Sequence, residues 1–394
     1  MNIAIVGSVV EEKDVMNYLG SSVAGNKMQL GFIRSFYRHL GNVQVISVEP
    51  HQQWRGNGKI VVGGKNETID NKIPIKKMFF INLIVIKQIT IWLSIFINLM
   101  VWGLKNYNDK EKVIIVYNTV SYFAIPVLLI STILNCKSLA IVADLPIKKS
   151  NKSLISRLED YLEVKLIKKF NLLISLTKNI VQDFGNKQPY LVIEAGIEEK
   201  IFQSIAVVKR KSKIFDIVFS GSLNELSGIE LAIKAINKIE DKTIRLNIYG
   251  KGIMEKFVRE SAENNPNIKF HGNVSNAEIM LIQRKADLLI APREPDDYTT
   301  KYTFPSKLVE YMATGVPVIC NKLQGIPNEY YNHIIALDSA DEHSWAKEIE
   351  SVRNDKKGYY KNKANQAKAF IFENKTWEKI DIELVNFLKE NIHA

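Results

Sequence analysis

The chain has 394 residues, 46% of them hydrophobic and 24% charged, with a formal net charge of +11. That length exceeds a single core and predicts two domains, and the composition excludes a disordered chain. Cys136 and Cys320 and six histidines provide neither a disulfide framework nor a zinc spacing, so buried thiols in a reducing cytosol are expected. The basic balance suits anionic lipid or phosphorylated ligands, and no lysine–arginine block with interleaved aromatics marks a nucleic-acid arm.

MNIAIVGSVV has no basic stretch ahead of its apolar run, so residues 2–6 read as a first strand and not as a signal peptide. A glycine-rich turn, Gly20-Ser21-Ser22-Val23-Ala24-Gly25-Asn26, leads to a helix over 28–40, with Leu30, Ile33, Phe36, Tyr37 and Leu40 on one face and Gly41 as its stop. The turn reads equally as an anion loop or as a plain connection. Strands follow at 43–48, 112–117, 138–143 and 171–176. From 78 to 104 the only formal charge is Lys87, with Lys76, Lys77 and Lys105 flanking. Three readings stay open there: a buried helix, a helix lying in an anionic membrane surface, and a membrane span.

Around 194–213 the alternation breaks at Glu194-Ala195-Gly196-Ile197 and a basic run, Lys209-Arg210-Lys211-Ser212-Lys213, which reads as a solvated linker. It then restarts. Strands are predicted at 216–220, 245–249, 268–271, 287–291, 316–319 and 334–337. Ile229, Ala232, Ile233, Ile236 and Ile239 mark a helix, and Ser275 with Glu278 forms a capping box ahead of another. A last helix over 377–391 carries Ile380, Leu384, Phe387 and Leu388. The pattern predicts an α/β chain of two doubly wound, Rossmann-like domains facing across a cleft, with ligands at the carboxyl ends of the strands.

Residues 304–319, FPSKLVEYMATGVPVI, are the most informative segment. Phe304-Pro305 sets an extended entry, Ser306 is the expected N-cap, and Leu308, Val309 and Met312 form an apolar stripe. Gly315 suits the left-handed stop. The helix start with Lys307 favours a phosphate, and Glu310 suits sugar hydroxyls. Gly221-Ser222, Gly250-Lys251-Gly252, Gly272-Asn273-Val274 and Arg293 each follow a strand, so four consecutive strand ends before this helix carry small or cationic residues.

These motifs, in this order from Phe215 to Leu337, resemble the retaining GT-B glycosyltransferases of family 4, in the "FPSK…EYMA.G.PV" variant. The segment VIEAGIEEKIF at 192–202 and the helix with Trp377 resemble that family's linker and returning helix. The resemblance implies an acceptor-binding domain over 1–205, a nucleotide-sugar domain over 206–372, and a helix over 373–394 that returns to the first domain. It places Glu310 on the ribose hydroxyls, Phe304, Pro305, Ser306 and Lys307 on the diphosphate and sugar, Val274 near the base, and Gly221 and Ser222 under the phosphates. Lys251, Arg293 and Lys307 supply positive charge. Departures stand at Tyr302, where a glutamate is usual, and at Ser222 and Ser227, where cations are usual. Asp144, in the stretch IVADLP, is the candidate for the polar catalytic role of the first domain.

The expected enzyme is cytoplasmic, and the basic charge together with the 78–104 segment leaves open a peripheral place on the inner face of the plasma membrane. The resemblance implies that it moves a sugar from a nucleotide-sugar donor to a glycan or lipid-linked acceptor in cell-surface polysaccharide synthesis. No metal is expected, Asp296-Asp297 reading as a loop pair. The other readings are a non-catalytic GT-B partner subunit that recognises glycan, and a sugar-nucleotide epimerase, for which the carboxylate and histidine cluster is not found.

Overall fold

In a computed structural model, residues 1–18, 22–52, 54, 58–146, 153–203, 212–296 and 298–392 are described. Lys209-Arg210-Lys211 of the linker, Gly20-Ser21 of the glycine-rich turn and Asp297 lie outside them. The chain divides into two compact units.

The first unit comprises Met1–Gly196, Tyr302–Phe304 and Trp377–Ala394. Its strands are β1 (Asn2–Gly7), β2 (Asn42–Ser47), β3 (Val61–Val62), β4 (Lys65–Ile69), β5 (Ile73–Lys77), β6 (Phe80–Ile81), β7 (Lys112–Tyr117), β8 (Lys137–Val142), β9 (Leu172–Ser175) and β10 (Tyr190–Val192). Eight of them form one sheet in the order β10-β9-β8-β7-β1-β2-β5-β4. Every pair is parallel except β4 with β5. The central strands β1 and β7 are buried along their whole length, as β-branched runs covered on both faces must be. The helices of this unit are α1 (Val23–Leu40), α2 (Ile86–Lys105), α3 (Ser121–Ile133), α4 (Leu154–Ile167) and α5 (Lys178–Phe184).

Two expectations change here. Helix α1 begins at Val23 and not at 28, because the Ser22 hydroxyl caps it by accepting from the Gly25 amide (3.1 Å). Asn26 therefore belongs to the helix, where its side chain pairs with both backbone groups of Val10 (2.9 and 3.0 Å). The segment 78–104 is not one helix. Met78 ends the turn out of β5, β6 follows, and only Ile86–Lys105 is helical. That helix is long and apolar enough to cross a membrane by length and composition. It nevertheless buries one face, through Ile91, Ile95, Leu99 and Trp102, while packing against α3 and β6.

The second unit comprises Ile197–Lys301 and Pro305–Thr376. A short helix, α6 (Glu199–Gln203), precedes β11 (Phe215–Ser220), β12 (Ile244–Tyr249), β13 (Ile268–Gly272), β14 (Leu288–Ala291), β15 (Val318–Asn321) and β16 (Ile335–Leu337). These form an all-parallel sheet in the order β13-β12-β11-β14-β15-β16. Around it run α7 (Ile229–Asn237), α8 (Glu255–Asn264), α9 (Asn276–Lys285), α10 (Thr299–Tyr302), α11 (Lys307–Ala313), α12 (Asn328–Tyr331), α13 (Glu342–Arg353) and α14 (Tyr359–Asn374). Ser275 caps α9 by accepting from the Glu278 amide (3.3 Å). Gly315 ends α11 with φ +69°, the left-handed conformation its position requires.

The last helix, α15 (Trp377–Ile392), belongs to the first unit. Ile380, Leu384, Phe387 and Leu388 join the core of Ile3, Ile5, Phe32 and Val113. The Trp377 ring meets Phe32 edge-on (5.5 Å) and fills the space where a Cβ of Gly31 would stand.

Candidate functional site

In each sheet the strand order reverses at one place, and open α/β sheets bind ligands just beyond the strand ends there. In the second unit the reversal lies between β11 and β14. β11 ends at Ser220 and β14 at Ala291, so Gly221-Ser222 and Pro292-Arg293 are the residues that leave the switch point.

The loops at this edge are knitted by backbone hydrogen bonds. Gly221 N–H donates to the Tyr249 carbonyl (3.0 Å), Leu223 N–H to the Lys251 carbonyl (2.9 Å), and Gly250 N–H to the Gly272 carbonyl (2.8 Å). The approach is so close that a Cβ on Gly250 would overlap the Gly221 carbonyl. One on Gly228 would overlap the Pro292 carbonyl. Both glycines have positive φ, +145° and +71°, so each is required on two counts. The carbonyls of Pro292 and Arg293 are in turn held by the Asn321 side-chain amide (3.2 and 3.0 Å), whose oxygen accepts the Trp345 indole N–H (2.8 Å).

Helix α11 brings its residues to the same edge. Tyr311 is fully buried, and burial pushes its phenol up to about 12, so it stays a donor at neutral pH. Its hydroxyl donates to the Ser220 carbonyl (3.1 Å) and accepts from the Ser220 amide (2.9 Å), fixing the helix to the end of β11. Lys307 Nζ then donates to Ser220 Oγ (3.5 Å), and its Cδ passes 3.9 Å from where a Gly221 Cβ would stand. Lys307 and Gly221 are thus adjacent. Glu310 is half-buried in the first turn of the same helix.

Ser306 does not cap α11. It has helical dihedrals (φ −53°, ψ −28°) and makes no side-chain cap bond. Pro305 and Ser306 carbonyls instead accept from the Leu308 (2.8 Å) and Val309 (3.2 Å) amides, so the turn closes one residue early and uses donors the expectation left for phosphate. Ser227 spends its hydroxyl on the Asn224 carbonyl (2.6 Å). Lys251 is exposed on the loop after β12, and Val274 half-buried on the loop after β13. Asp296 accepts from the Tyr298 amide (2.7 Å) and the Thr299 amide. Burial raises its pKa, but these backbone donors outweigh that and hold it below the usual carboxylate range, and it anchors the turn that leads into α10.

Tyr302 and Phe304 group with the first unit, unlike Pro305 onward. The Tyr302 hydroxyl donates to Asp183 of α5 (2.7 Å), and its ring tilts against Phe184 (5.1 Å). Asp144 also belongs to the first unit. It is exposed just past β8, its amide and that of Ala143 held by the Asn118 side-chain oxygen (3.2 and 2.8 Å). Asn118 itself has φ +59° at the end of β7, beside the reversal between β1 and β7. Tyr311, Asn118 and Asn321 were missed as positioning residues in the sequence. Asn118 alone left a local signal, an Asn directly after an apolar strand.

Residues 214–355 match the family model described as Glycosyl transferases group 1. An uncharacterized glycosyltransferase of Methanocaldococcus jannaschii is 28% identical over 208 residues, covering 50% of this chain and 50% of that protein. The chain thus spans about half the length of the curated relative it matches. Among solved structures, Anabaena HepE in complex with UDP superposes with a TM-score of 0.68 at 15% identity, over 99% of this chain and 100% of that one. Sucrose-phosphate synthase of Thermosynechococcus elongatus gives 0.70 at 13% identity, over 99% of each chain. The chain therefore has the GT-B fold, and its second unit is similar in sequence to the group 1 glycosyltransferases.

Proposed function

We propose that the chain is a retaining glycosyltransferase that moves a sugar from a nucleotide-sugar donor to a glycan or lipid-linked acceptor in cell-surface polysaccharide synthesis. The observation that carries this reading is the meeting of Lys307 with Gly221 at the switch point, beside the loop that holds Arg293. A departing nucleoside diphosphate gains negative charge, and fixed cations and backbone donors at that place stabilise it. Lys307, Arg293 and Lys251 supply the cations, and Glu310 accepts from the ribose hydroxyls. The backbone of Gly221-Ser222 and of Phe304-Pro305-Ser306 lines the phosphates and sugar, with Val274 toward the base. Asp144 serves the acceptor side. The acceptor hydroxyl enters from the face the diphosphate leaves, which retains the anomeric configuration. In this reading these three protein cations take the place of a metal.

The UDP bound by the Anabaena protein makes UDP the first base to try. Binding of UDP, GDP and TDP, followed by donor hydrolysis or transfer with the matching sugars, tests the reading. Absence of both binding and turnover across the panel would sink it. Ser222 and Ser227 support a second reading, a non-catalytic subunit of a transferase complex, because neither supplies a cation. Nucleotide binding without turnover, with turnover restored by a co-purifying transferase, would favour that one.

A further inference from the structure

Helix α2 is apolar on both sides, and among the described residues only one side is covered. Opposite the buried Ile91, Ile95 and Leu99 runs an exposed stripe of Ile86, Ile89, Leu93, Ile97, Val101 and Leu104, each at least 41% accessible. The spacing of three and four residues keeps them in one line. Ile84 (70%) and Val85 (53%) extend it at the entry to the helix. The neighbouring helices continue the pattern: Leu129 and Ile133 are exposed on α3, which packs on α2, and Leu154, Ile155, Leu158 and Tyr161 on α4, which packs on α3. Leaving so many large aliphatic groups in water is unfavourable, and exposed patches of this extent mark an interaction surface.

A groove of about 340 Å³ opens beside the stripe, lined by Gln88, Ile89, Trp92 and Leu93 of α2 and by Tyr122 and Ile125 of α3. Its walls are almost wholly apolar, so a hydrocarbon chain fits them better than a sugar. Charge completes the picture. Neither α2 nor α3 contains a carboxylate. Exposed cations stand at the helix ends and on α4: Lys105, Arg157, Lys165, Lys168 and Lys169. Helix α4 also carries Glu159, Asp160 and Glu163, all half-buried, and Glu159 accepts from the Ser121 hydroxyl (2.6 Å). A face whose exposed charges are lysine and arginine complements a bilayer with anionic head groups. Because its buried face is committed to α3 and β6, α2 meets such a bilayer from the side and does not cross it.

We propose that the α2–α3–α4 face of the first unit rests on an anionic membrane surface, and that the α2–α3 groove takes one lipid hydrocarbon chain. The proposal is independent of the donor chemistry, since vesicle binding reads it without turnover. The test is co-flotation of the full chain with phosphatidylcholine vesicles, with and without phosphatidylglycerol. Binding is expected only with the anionic lipid and should weaken with salt. The double variant L93E/I97E, altered at exposed positions, should lose at least tenfold in partitioning while keeping its circular dichroism and melting temperature. Vesicles of lipid spin-labelled on the acyl chain should quench tryptophan emission, and Trp92→Phe should remove most of that quenching.

No binding to anionic vesicles overturns the docking proposal, as does undiminished binding by the folded double variant. A stable dimer that the same two substitutions dissociate, without vesicle binding, assigns the face to a second copy and equally overturns it. Quenching unchanged in Trp92→Phe overturns the groove assignment.

Discussion

Replacing Lys307 by Met removes one positive charge from the end of β11 and nearly preserves the side chain's length. The Lys307 stem passes 3.9 Å from the Cβ position of Gly221, so a phosphate oxygen seated over Gly221 would meet the ammonium at hydrogen-bond range. A charge-assisted bond of this kind contributes about 1.5–3 kcal/mol. The bare attraction between unit charges about 4 Å apart, at an effective dielectric near 20, is about 4 kcal/mol, which sets an upper limit. A loss of about 2–3 kcal/mol corresponds to a fall of roughly 30- to 150-fold in affinity. Folding should not change. Ser220 Oγ keeps Gln283 Nε2 (2.9 Å) and the Tyr311 hydroxyl (3.0 Å) as partners when Lys307 is gone. Titration calorimetry with UDP, GDP and TDP measures the effect, and melting of the ligand-free protein checks the fold. Unchanged diphosphate affinity would refute the placement of Lys307. An equal fall for the free nucleoside would refute the charge argument, because the nucleoside carries no phosphate.

Glu310→Ala should weaken nucleoside diphosphate binding by about 1 kcal/mol, roughly fivefold, and leave pyrophosphate binding unchanged; a loss seen with both ligands would contradict a ribose contact. Asn321→Leu leaves the Trp345 indole N–H and two loop carbonyls without their partner. It should destabilise the chain by about 3 kcal/mol or more in calorimetry, and an unchanged melting temperature would contradict the account of that loop. Burial raises the pKa of Glu49, but bonds from Lys77, His51 and the Tyr18 hydroxyl outweigh it and hold the carboxyl at about 2. Relative to an unfolded value near 4.5, this contributes about 3 kcal/mol of stability above pH 4.5, lost as the pH falls toward 2. Glu49→Gln should flatten the acid-unfolding curve across that window, and a curve parallel to the parent's would disprove the assignment. Turnover, once a donor is found, should survive EDTA; its abolition, with recovery on adding a divalent cation, would contradict a metal-free site.

Much of the fold was legible because buried parallel strands announce themselves. The runs at 112–117 and 216–220 have unbroken apolar centres, Val113–Tyr117 and Ile217–Phe219, and they lie in the interior of their sheets. The Ser275 half of the expected capping box and the left-handed Gly315 were legible because both act within a few residues of themselves. What escaped was non-local or polar. Strand β4, KNETI, is mostly exposed at a sheet edge, so no apolar run betrays it. Ser306 reads as a cap by residue type, but Pro305 and Ser306 close the turn through their own carbonyls. Asn118, Asn321 and Tyr311 hold loops distant in sequence, and nothing near them says which loop. Tyr302 looked like a lost donor contact, whereas its hydroxyl has a partner in Asp183.

The placement of α15 has a consequence for how the protein comes into being. Trp377, Ile380, Leu384, Phe387 and Leu388 belong to the same core as the opening strand, yet they come after the whole second unit in the chain. A ribosome delivers the first unit's sheet long before the helix that covers it. Until then the faces of Phe32 and Ile33 that α15 will cover are open to water, and the pocket at Gly31 waits for its indole. The second unit, contiguous apart from Tyr302–Phe304, is free to mature first. The first unit's core therefore cannot be completed until the whole second unit has been synthesised.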